Sequence, residues 1–320
     1  MTKITKDNKI YIAGYKGMVG SACWRLLEKK GYKNLIGKSS KELDLKDQQA
    51  TAQFFKEEKP EVVIDAAAKV GGIWANSQYP YEFLMDNMLI QNNLISNSLK
   101  NDIKKFIFLG SSCIYPKMAP QPLKEECLLS GLLEPTNQWY AIAKISGVKL
   151  IEAIRTQYKK DYVALMPTNL YGPGDNYDLE TSHVLPALLR KFHEAKQNNH
   201  APVTIWGSGT PLREFMHVDD LAEAVVFSME NNLEESLYNV GSGEEITIKE
   251  LALLIQEIIG HKGEIIWDKS KPNGQAIKIF DVKKLNQLGL NCSTSLEKGL
   301  SKTIYWFEKN YKGKKNNLRI

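Results

Sequence analysis

Apolar and polar positions follow two rhythms along the first half of the chain. Short apolar runs at 9–13, 35–36, 61–68, 105–110 and 161–165 read as strands. The run at 105–110 is apolar almost throughout, as in a parallel sheet covered on both faces. Between them lie helical patterns. Ala22, Cys23, Leu26 and Leu27 form an apolar stripe within 21–30. Phe83, Leu84, Met88, Ile90, Leu94, Ile95 and Leu99 give the helix at 81–100 an apolar surface broad for a single sheet contact, so a second subunit is expected to share it. Alternating strands and helices predict an α/β fold, a Rossmann-type doubly wound parallel sheet. Further on, Asp219 or Asp220 is expected to cap a helix at 220–231, a strand and turn follow at 238–243, and Thr247 opens a helix to about 260. A last helix is expected at 296–311.

The first strand runs into Gly14, Gly17 and Gly20, and then into a helix. That order makes a glycine spacing a dinucleotide site: glycine lets the pyrophosphate approach backbone N–H groups at the helix start. The turn comprises Gly14, Tyr15, Lys16, Gly17, Met18, Val19 and Gly20. After the second strand, where an NAD site usually places an acid for the ribose, the chain reads Gly37-Lys38-Ser39-Ser40-Lys41. Lysines and serines receive a 2′-phosphate that a carboxylate would repel, so Lys16, Ser40 and Lys41 point to NADPH. Asp44 and Leu45 flank the adenine in this reading. Ala67 and Ala68, after the third strand, let a cofactor approach the backbone.

Composition narrows the class. The chain has 320 residues, enough for about two domains, with 43% hydrophobic and 25% charged residues. A net charge of +5 is not the footprint of a nucleic-acid binder, and the basic residues Lys312, Lys314, Lys315 and Arg319 read as a solvated end. The four cysteines, Cys23, Cys113, Cys127 and Cys292, suggest neither a disulfide framework nor a metal site. No apolar run approaches a membrane span or a signal peptide, so a cytoplasmic protein is expected.

Candidate chemistry follows the fourth strand, at Leu109-Gly110-Ser111-Ser112-Cys113-Ile114-Tyr115-Pro116. Ligands of open α/β sheets sit beyond the carboxyl ends of strands, so this segment faces the cofactor. Ser111 can donate to a carbonyl, and it lacks the glycines of a nucleophile elbow. Tyr140 and Lys144 stand four apart on one helix face. An ammonium beside the phenol is expected to lower its pKa from about 10 toward neutrality.

With the glycine turn, 111–116, Tyr140-Ala-Ile-Ala-Lys144 and His217-Val-Asp-Asp220 in hand, the chain resembles the extended short-chain dehydrogenase/reductase family. Within that family, Ala68-Lys-Val-Gly-Gly-Ile73, Leu133-Glu-Pro-Thr-Asn137, Met166-Pro-Thr-Asn-Leu-Tyr-Gly172, Ser182-His-Val-Leu-Pro186 and the stretch from Trp206 to Phe215 look like the branch that forms GDP-L-fucose. The resemblance implies epimerisation of GDP-4-keto-6-deoxy-D-mannose at C3 and C5, then reduction of C4 by NADPH. It implies acid–base roles for Cys113 and His183, donors to the C4 oxygen in Ser111 and Tyr140, and a tuning role for Lys144. On the cofactor it implies Leu109, Gly110, Ser111, Ser112, Tyr140, Lys144, Pro167, Thr168, Asn169, Leu170 and His183. On the GDP-sugar it implies Ser111, Ser112, Cys113, Asn169, Val184, Lys191, Trp206, Arg213 and Asn273. His217 is then structural, and a homodimer is implied through the helices at 81–100 and 140–159.

The resemblance also implies a cofactor domain of residues 1–172 with 214–242 returning to it, and a substrate domain of 173–213 and 243–320. Arg190, Lys191 and Arg213 have no acidic partners close in sequence and suit a diphosphate. Trp206 packs on base or sugar, or fills the core, the commoner fate of tryptophan. The chain departs from the family at Asn273, where aspartate is usual, and at Lys16, Ser40 and Lys191, where arginine is frequent. Two other readings stay open: a C4-reductase of a related GDP-4-keto-6-deoxy-sugar or heptose, and a non-catalytic NADP-binding sensor on the same fold.

Overall fold

The computed structural model describes residues 3–311 except Pro272 and Gly274, so the basic end at 312–320 and those two loop positions lie outside the described residues. The first half builds β1 (Ile10–Ala13), α1 (Met18–Lys29), β2 (Leu35–Ile36), α2 (Gln48–Glu58), β3 (Val62–Asp65), α3 (Ile73–Gln78), α4 (Pro80–Lys100) and β4 (Lys105–Leu109). The middle builds α5 (Gln138–Tyr158), β5 (Asp161–Pro167), β6 (Asn169–Tyr171), α6 (Val184–Gln197), β7 (Val203–Trp206), β8 (Leu212–His217), α7 (Val218–Glu230) and β9 (Leu237–Val240). The remainder builds β10 (Glu245–Thr247), α8 (Ile248–Ile259), β11 (Ile265–Asp268), β12 (Ile277–Lys278), α9 (Lys283–Gln287) and α10 (Leu296–Asn310).

A six-stranded sheet in the order β2-β1-β3-β4-β5-β9 is parallel at every pairing. Side chains alternate across it. Ile10, Ile12, Val62, Ile64, Ile107, Val163 and Leu165 join the core with residues of α1 and α7. Tyr11, Ala13, Val63, Phe106, Phe108 and Tyr162 join the core with residues of α2, α4 and α5 on the other face. Both faces being covered explains why these strands read as continuous apolar runs.

A third core gathers α6, α8 and α10 over β7 and Phe215 of β8. Here β8 is flanked by β10 and β12, with β6 also pairing to it, while β7 pairs with β11. These strands and their connections carry most of the residues the substrate was expected to meet.

Boundaries moved where capping chemistry acts at a distance from the periodicity. Helix α1 begins at Met18 rather than at 21, so Met18 and Val19 lie in its first turn. Strand β3 stops at Asp65, leaving Ala66–Ala68 as the turn above it. Helix α7 starts at Val218 and is capped by His217, whose Nδ1 accepts from the Asp219 N–H at 3.2 Å; neither Asp219 nor Asp220 is the cap. Thr247 does cap α8, and Glu250 closes a reciprocal capping box.

Candidate active site

The glycine turn is shaped by close backbone packing. Gly14 has φ +76°, and a Cβ there would lie 2.7 Å from the Ala66 carbonyl oxygen. A Cβ on Gly20 would lie 2.2 Å from the Gly14 carbonyl oxygen. Helix α1 is thereby drawn tight against the turn. Its start has no side-chain cap and no acid in the first turn. Unsatisfied N–H groups and the positive end of the helix dipole therefore face the space beyond the strand, a fit for a pyrophosphate.

The segment after β2 is less uniformly basic than its lysines suggest. Lys16, Ser40 and Lys41 are exposed, but Lys38 lies 3.8 Å from Glu58. Glu42 also folds back here, accepting from the Ser39 N–H at 2.8 Å and its hydroxyl at 2.5 Å. Those bonds, with smaller help from Lys16 and Lys38, hold the Glu42 carboxyl below its ordinary range. Leu45 is fixed from α4, where Asn93 Nδ2 donates to its carbonyl at 2.8 Å. Asp44 is exposed beside it.

The structure brings Ser111, Cys113, Tyr140 and Lys144 together above β4. The strand ends at Leu109, and Gly110 is crowded by Met166, whose terminal methyl would lie 2.0 Å from a Cβ. Ser111 then caps a short 3-10 turn, Ser112–Ile114, its hydroxyl accepting from the Cys113 N–H at 3.4 Å. Tyr140 projects from the first turn of α5, edge-on to Phe83 with ring centres 6.2 Å apart. The Ser111 hydroxyl lies near enough to ease ionisation of its phenol. One turn further, the buried Lys144 donates to the Leu109 carbonyl at 2.8 Å and lies 4.6 Å above the Phe108 ring.

The expected lowering of the Tyr140 pKa is not present in this arrangement. Burial pushes the phenol up, Cys113 and Asp65 push the same way, and only Ser111 opposes them. The reason is where the ammonium points. Lys144 is 6.0 Å from the centre of the Tyr140 ring and is engaged by the Leu109 carbonyl. Burial pulls Lys144 down, while Asp65 and then Cys113 hold its charge.

Asp65 was not singled out from the sequence. It is fully buried at the end of β3, with Oδ1 accepting from the Ala67 N–H at 3.2 Å and Oδ2 without a partner among the described residues. Burial pushes its carboxyl up to about 6 against the pull of Lys144. A carboxylate closing an otherwise apolar strand was the signal available in Val62-Val-Ile-Asp65.

Cys113 is 7% exposed, and burial raises its thiol above the ordinary range; Lys278, Ser111 and Lys144 oppose that rise, in that order. His183 precedes α6 as its N-cap residue, makes no capping bond with its side chain and is exposed. Although the residue as a whole is exposed, loss of water around the ring holds its imidazole below the usual value, and Lys278 adds to that. Lys278 is the second residue that sequence reasoning passed over.

On the substrate side, Thr168 Oγ1 and Asn169 Nδ2 both donate to the Glu214 carbonyl, at 3.2 and 2.8 Å, tying β6 to β8. Pro167 ends β5, and Leu170 packs against the core shared with α1 and α7. Arg213 is half-buried, donates to the Leu212 carbonyl at 2.9 Å and has no carboxylate partner among the described residues. Lys191 donates to the Thr204 carbonyl at 3.0 Å, and Val184 is exposed at the start of α6. Arg190, in contrast, is committed to Glu194 at 2.9 Å and to the Tyr177 carbonyl at 3.0 Å, so it is not a free cation. Trp206 is 61% exposed, which removes the core alternative and leaves its ring open to a base or sugar; the Lys271 ammonium lies 5.5 Å from its ring centre. Asn273 Oδ1 accepts from the Ser208 N–H at 2.7 Å and hydroxyl at 3.0 Å, joining its loop to the turn after Trp206.

Comparison with known proteins adds to this geometry. The model of the NAD dependent epimerase/dehydratase family matches residues 10–241. The chain is 53% identical to Putative GDP-L-fucose synthase 2 of Arabidopsis thaliana, over 98% of this chain and 95% of that protein. It is 50% identical to GDP-L-fucose synthase of Escherichia coli (strain K12), over 94% and 97% respectively. Among solved structures, a GDP-L-fucose synthetase from Naegleria fowleri bound to NADP superposes with a TM-score of 0.89 at 31% identity, covering 97% of this chain and 95% of that one. A GDP-6-OMe-4-keto-L-xylo-heptose reductase from C. jejuni superposes with a TM-score of 0.91 at 37% identity, covering 97% and 100%.

Proposed function

This chain belongs to the NAD dependent epimerase/dehydratase family, and from that premise we propose that it converts GDP-4-keto-6-deoxy-D-mannose to GDP-L-fucose with NADPH. The observation that carries the reading is the gathering of a phenol, a hydroxyl, a thiol and a buried ammonium above one strand end, in a chain half identical to enzymes of that name.

Gly14 to Gly20 and the uncapped start of α1 would hold the cofactor pyrophosphate. Lys16, Ser40 and Lys41 would hold the 2′-phosphate, with Glu42 kept away from it by Ser39. Bound NADPH supplies the hydride for C4. A ketone at C4 acidifies the protons on C3 and C5. Cys113 and His183 exchange those protons, one removing and the other returning on the opposite face. Ser111 and Tyr140 donate to the C4 oxygen while it carries enolate charge. In the reduction Tyr140 gives its proton to that oxygen. A raised phenol pKa keeps Tyr140 in the protonated form that donates, and the Lys144 ammonium, held by the Leu109 carbonyl, offsets the phenolate charge left behind. Arg213 and Lys191 neutralise the diphosphate, while Trp206 offers an open ring to base or sugar.

The division at residues 172, 213 and 242 into cofactor and substrate parts belongs to this reading, supported by β9 pairing with β5 and by the separate core over β7. So does a homodimer: Tyr81, Met85 and Leu89 of α4 and Trp139, Ile142 and Leu150 of α5 are exposed on two helices packed together. Among the described residues no helix is long and apolar enough to cross a membrane, and the cysteines are free; reduced thiols and NADPH support a cytoplasmic setting.

The test is the product. Purified protein with NADPH and GDP-4-keto-6-deoxymannose should give GDP-L-fucose by NMR. A second reading, C4 reduction alone on a GDP-heptose, is favoured by the likeness to the heptose reductase. Heavy water separates the two: deuterium should enter C3 and C5 before any NADPH is added, and an unlabelled keto-sugar would leave only the reductase. NADPH that binds but is not consumed with any GDP-4-keto-sugar would instead point to a bystander fold that binds NADP without catalysis.

A further inference from the structure

We propose that Lys278 is a third member of the proton-exchange site, acting as the charge and proton partner of the Cys113 thiol. This rests on the epimerase reading above and extends it by one residue.

The placement is built by hydrogen bonds from two sides. Strand β12 pairs in parallel with β8, which sets Lys278 directly beside Arg213. The residues flanking Lys278 are stitched to the segment that leaves Cys113. The Leu123 N–H donates to the Ile279 carbonyl at 2.8 Å, the Ile279 N–H donates to Gln121 Oε1 at 3.0 Å, and Gln275 donates to the Lys117 carbonyl at 3.1 Å. Tyr115, two residues past the thiol, meets the Phe280 ring edge-on at 5.7 Å. Lys278 is thus clamped between the strand that presents Arg213 and the turn that presents Cys113.

Its charge is poorly compensated there. Two cations side by side on paired strands repel, and neither Lys278 nor Arg213 has an ion-pair partner among the described residues. The charges that act on Lys278 are those of Cys113 from the turn after β4, Arg213 from the neighbouring position of β8, and Glu134 from the loop before α5. The groups that act on the Cys113 thiol are Lys278, Ser111 and Lys144, and the thiol in turn acts on Tyr140. Of the cations around the thiol, Lys278 acts most strongly, and it acts on His183 as well.

The chemistry follows. Burial pulls the Lys278 ammonium down to about 8, which puts a neutral amine within reach a little above neutral pH, and it raises the thiol. Moving a proton from Sγ to Nζ creates a thiolate and an ammonium in the same place. No net charge enters the site, and no electron or co-reactant is needed. The thiolate can then take a proton from carbon, and the pair returns to its starting state by exchange with water.

Alkylation of Cys113 by iodoacetamide, followed against pH by mass spectrometry of its peptide, needs no substrate. Lys278→Gln should move the midpoint up by about one pH unit or more, the scale of a lost neighbouring charge. Lys278→Arg, which keeps the charge but cannot take a proton, should retain the wild-type midpoint yet slow deuterium entry at C3 and C5 at least tenfold. NADPH binding should be unchanged in both variants, showing that the fold is intact. An unmoved midpoint in Lys278→Gln overturns the charge partnership, and full exchange in Lys278→Arg overturns the proton transfer. Absence of exchange in the wild type would instead defeat the epimerase reading, while the alkylation profile would still decide whether Lys278 and Cys113 are paired.

Discussion

On the cofactor side the wall is backbone. Gly14 and Gly20 leave no room for a Cβ, and the N–H groups of α1 are offered without a cap. On the substrate side the wall is side chain. Arg213 stands on a strand that runs on through Glu214 into the core, Trp206 is open to solvent, and Asn273 is held by a turn at Ser208. A backbone wall has few ways to change and accepts one shape of ligand. A side-chain wall can be altered residue by residue, which fits a family whose solved members include reductases of GDP-heptoses. Tyr140 stands where the walls meet, so its loss should strike the chemistry and spare both binding surfaces. Tyr140→Phe is expected to lower kcat for NADPH oxidation by roughly 10²–10⁴, the range for a removed general acid. Binding of NADPH and of GDP should stay within a factor of about two. A comparable loss of either affinity would show that the phenol is part of a wall instead.

Arg213 tests the side-chain wall. In the proposed reading it meets the diphosphate, and replacing it with Gln should then remove a charge-assisted contact of about 1.5–3 kcal/mol. GDP affinity, read by calorimetry, should fall by roughly tenfold to hundredfold while NADPH affinity does not move. Its neighbour Lys278 could soften that loss, so a fall at the lower end is expected. Gly20→Ala tests the backbone wall. The added methyl meets a carbonyl that belongs to the turn itself, at 2.2 Å. Overpacking of this kind costs about 1–3 kcal/mol. The expected result is weaker NADPH binding, a lower Tm and unchanged GDP binding. Equal damage to both ligands from either variant would dissolve the distinction between the walls.

The two walls were also unequally legible. The glycine turn could be read because strand, glycine and helix are neighbours in sequence and each residue type has one physical reason to be there. The capping box at Thr247 and Glu250 was readable in part for the same reason. Asp65, Glu42 and Lys278 were not. Asp65 matters only because Lys144 arrives 79 positions later on a helix laid over the sheet. Glu42 cancels part of a basic loop by folding back onto Ser39, which periodicity does not report. Lys278 looked like any exposed lysine until β12 was seen beside β8 and against the turn after Cys113. Family resemblance carried Cys113 and His183 into view, but not the charge between them. The Tyr140–Lys144 spacing placed both groups on one helix face, yet spacing could not say that the ammonium turns toward the Leu109 carbonyl.

The smallest effect is expected at the departure from the family. Asn273 uses Oδ1 to accept from the Ser208 N–H and hydroxyl, and an aspartate carboxylate can accept the same pair. Asn273→Asp should therefore leave the loop in place and add a negative charge near Lys271 and Trp206. Asn273 is exposed, so that charge is screened and worth about 0–1 kcal/mol. The change in KM for the GDP-sugar should stay within roughly fivefold, with kcat unaltered. Restoring the family's residue would then show that the side-chain wall tolerates this substitution because the backbone bonds, not the charge, position the loop. A shift beyond tenfold would mean that the asparagine selects a different sugar or base.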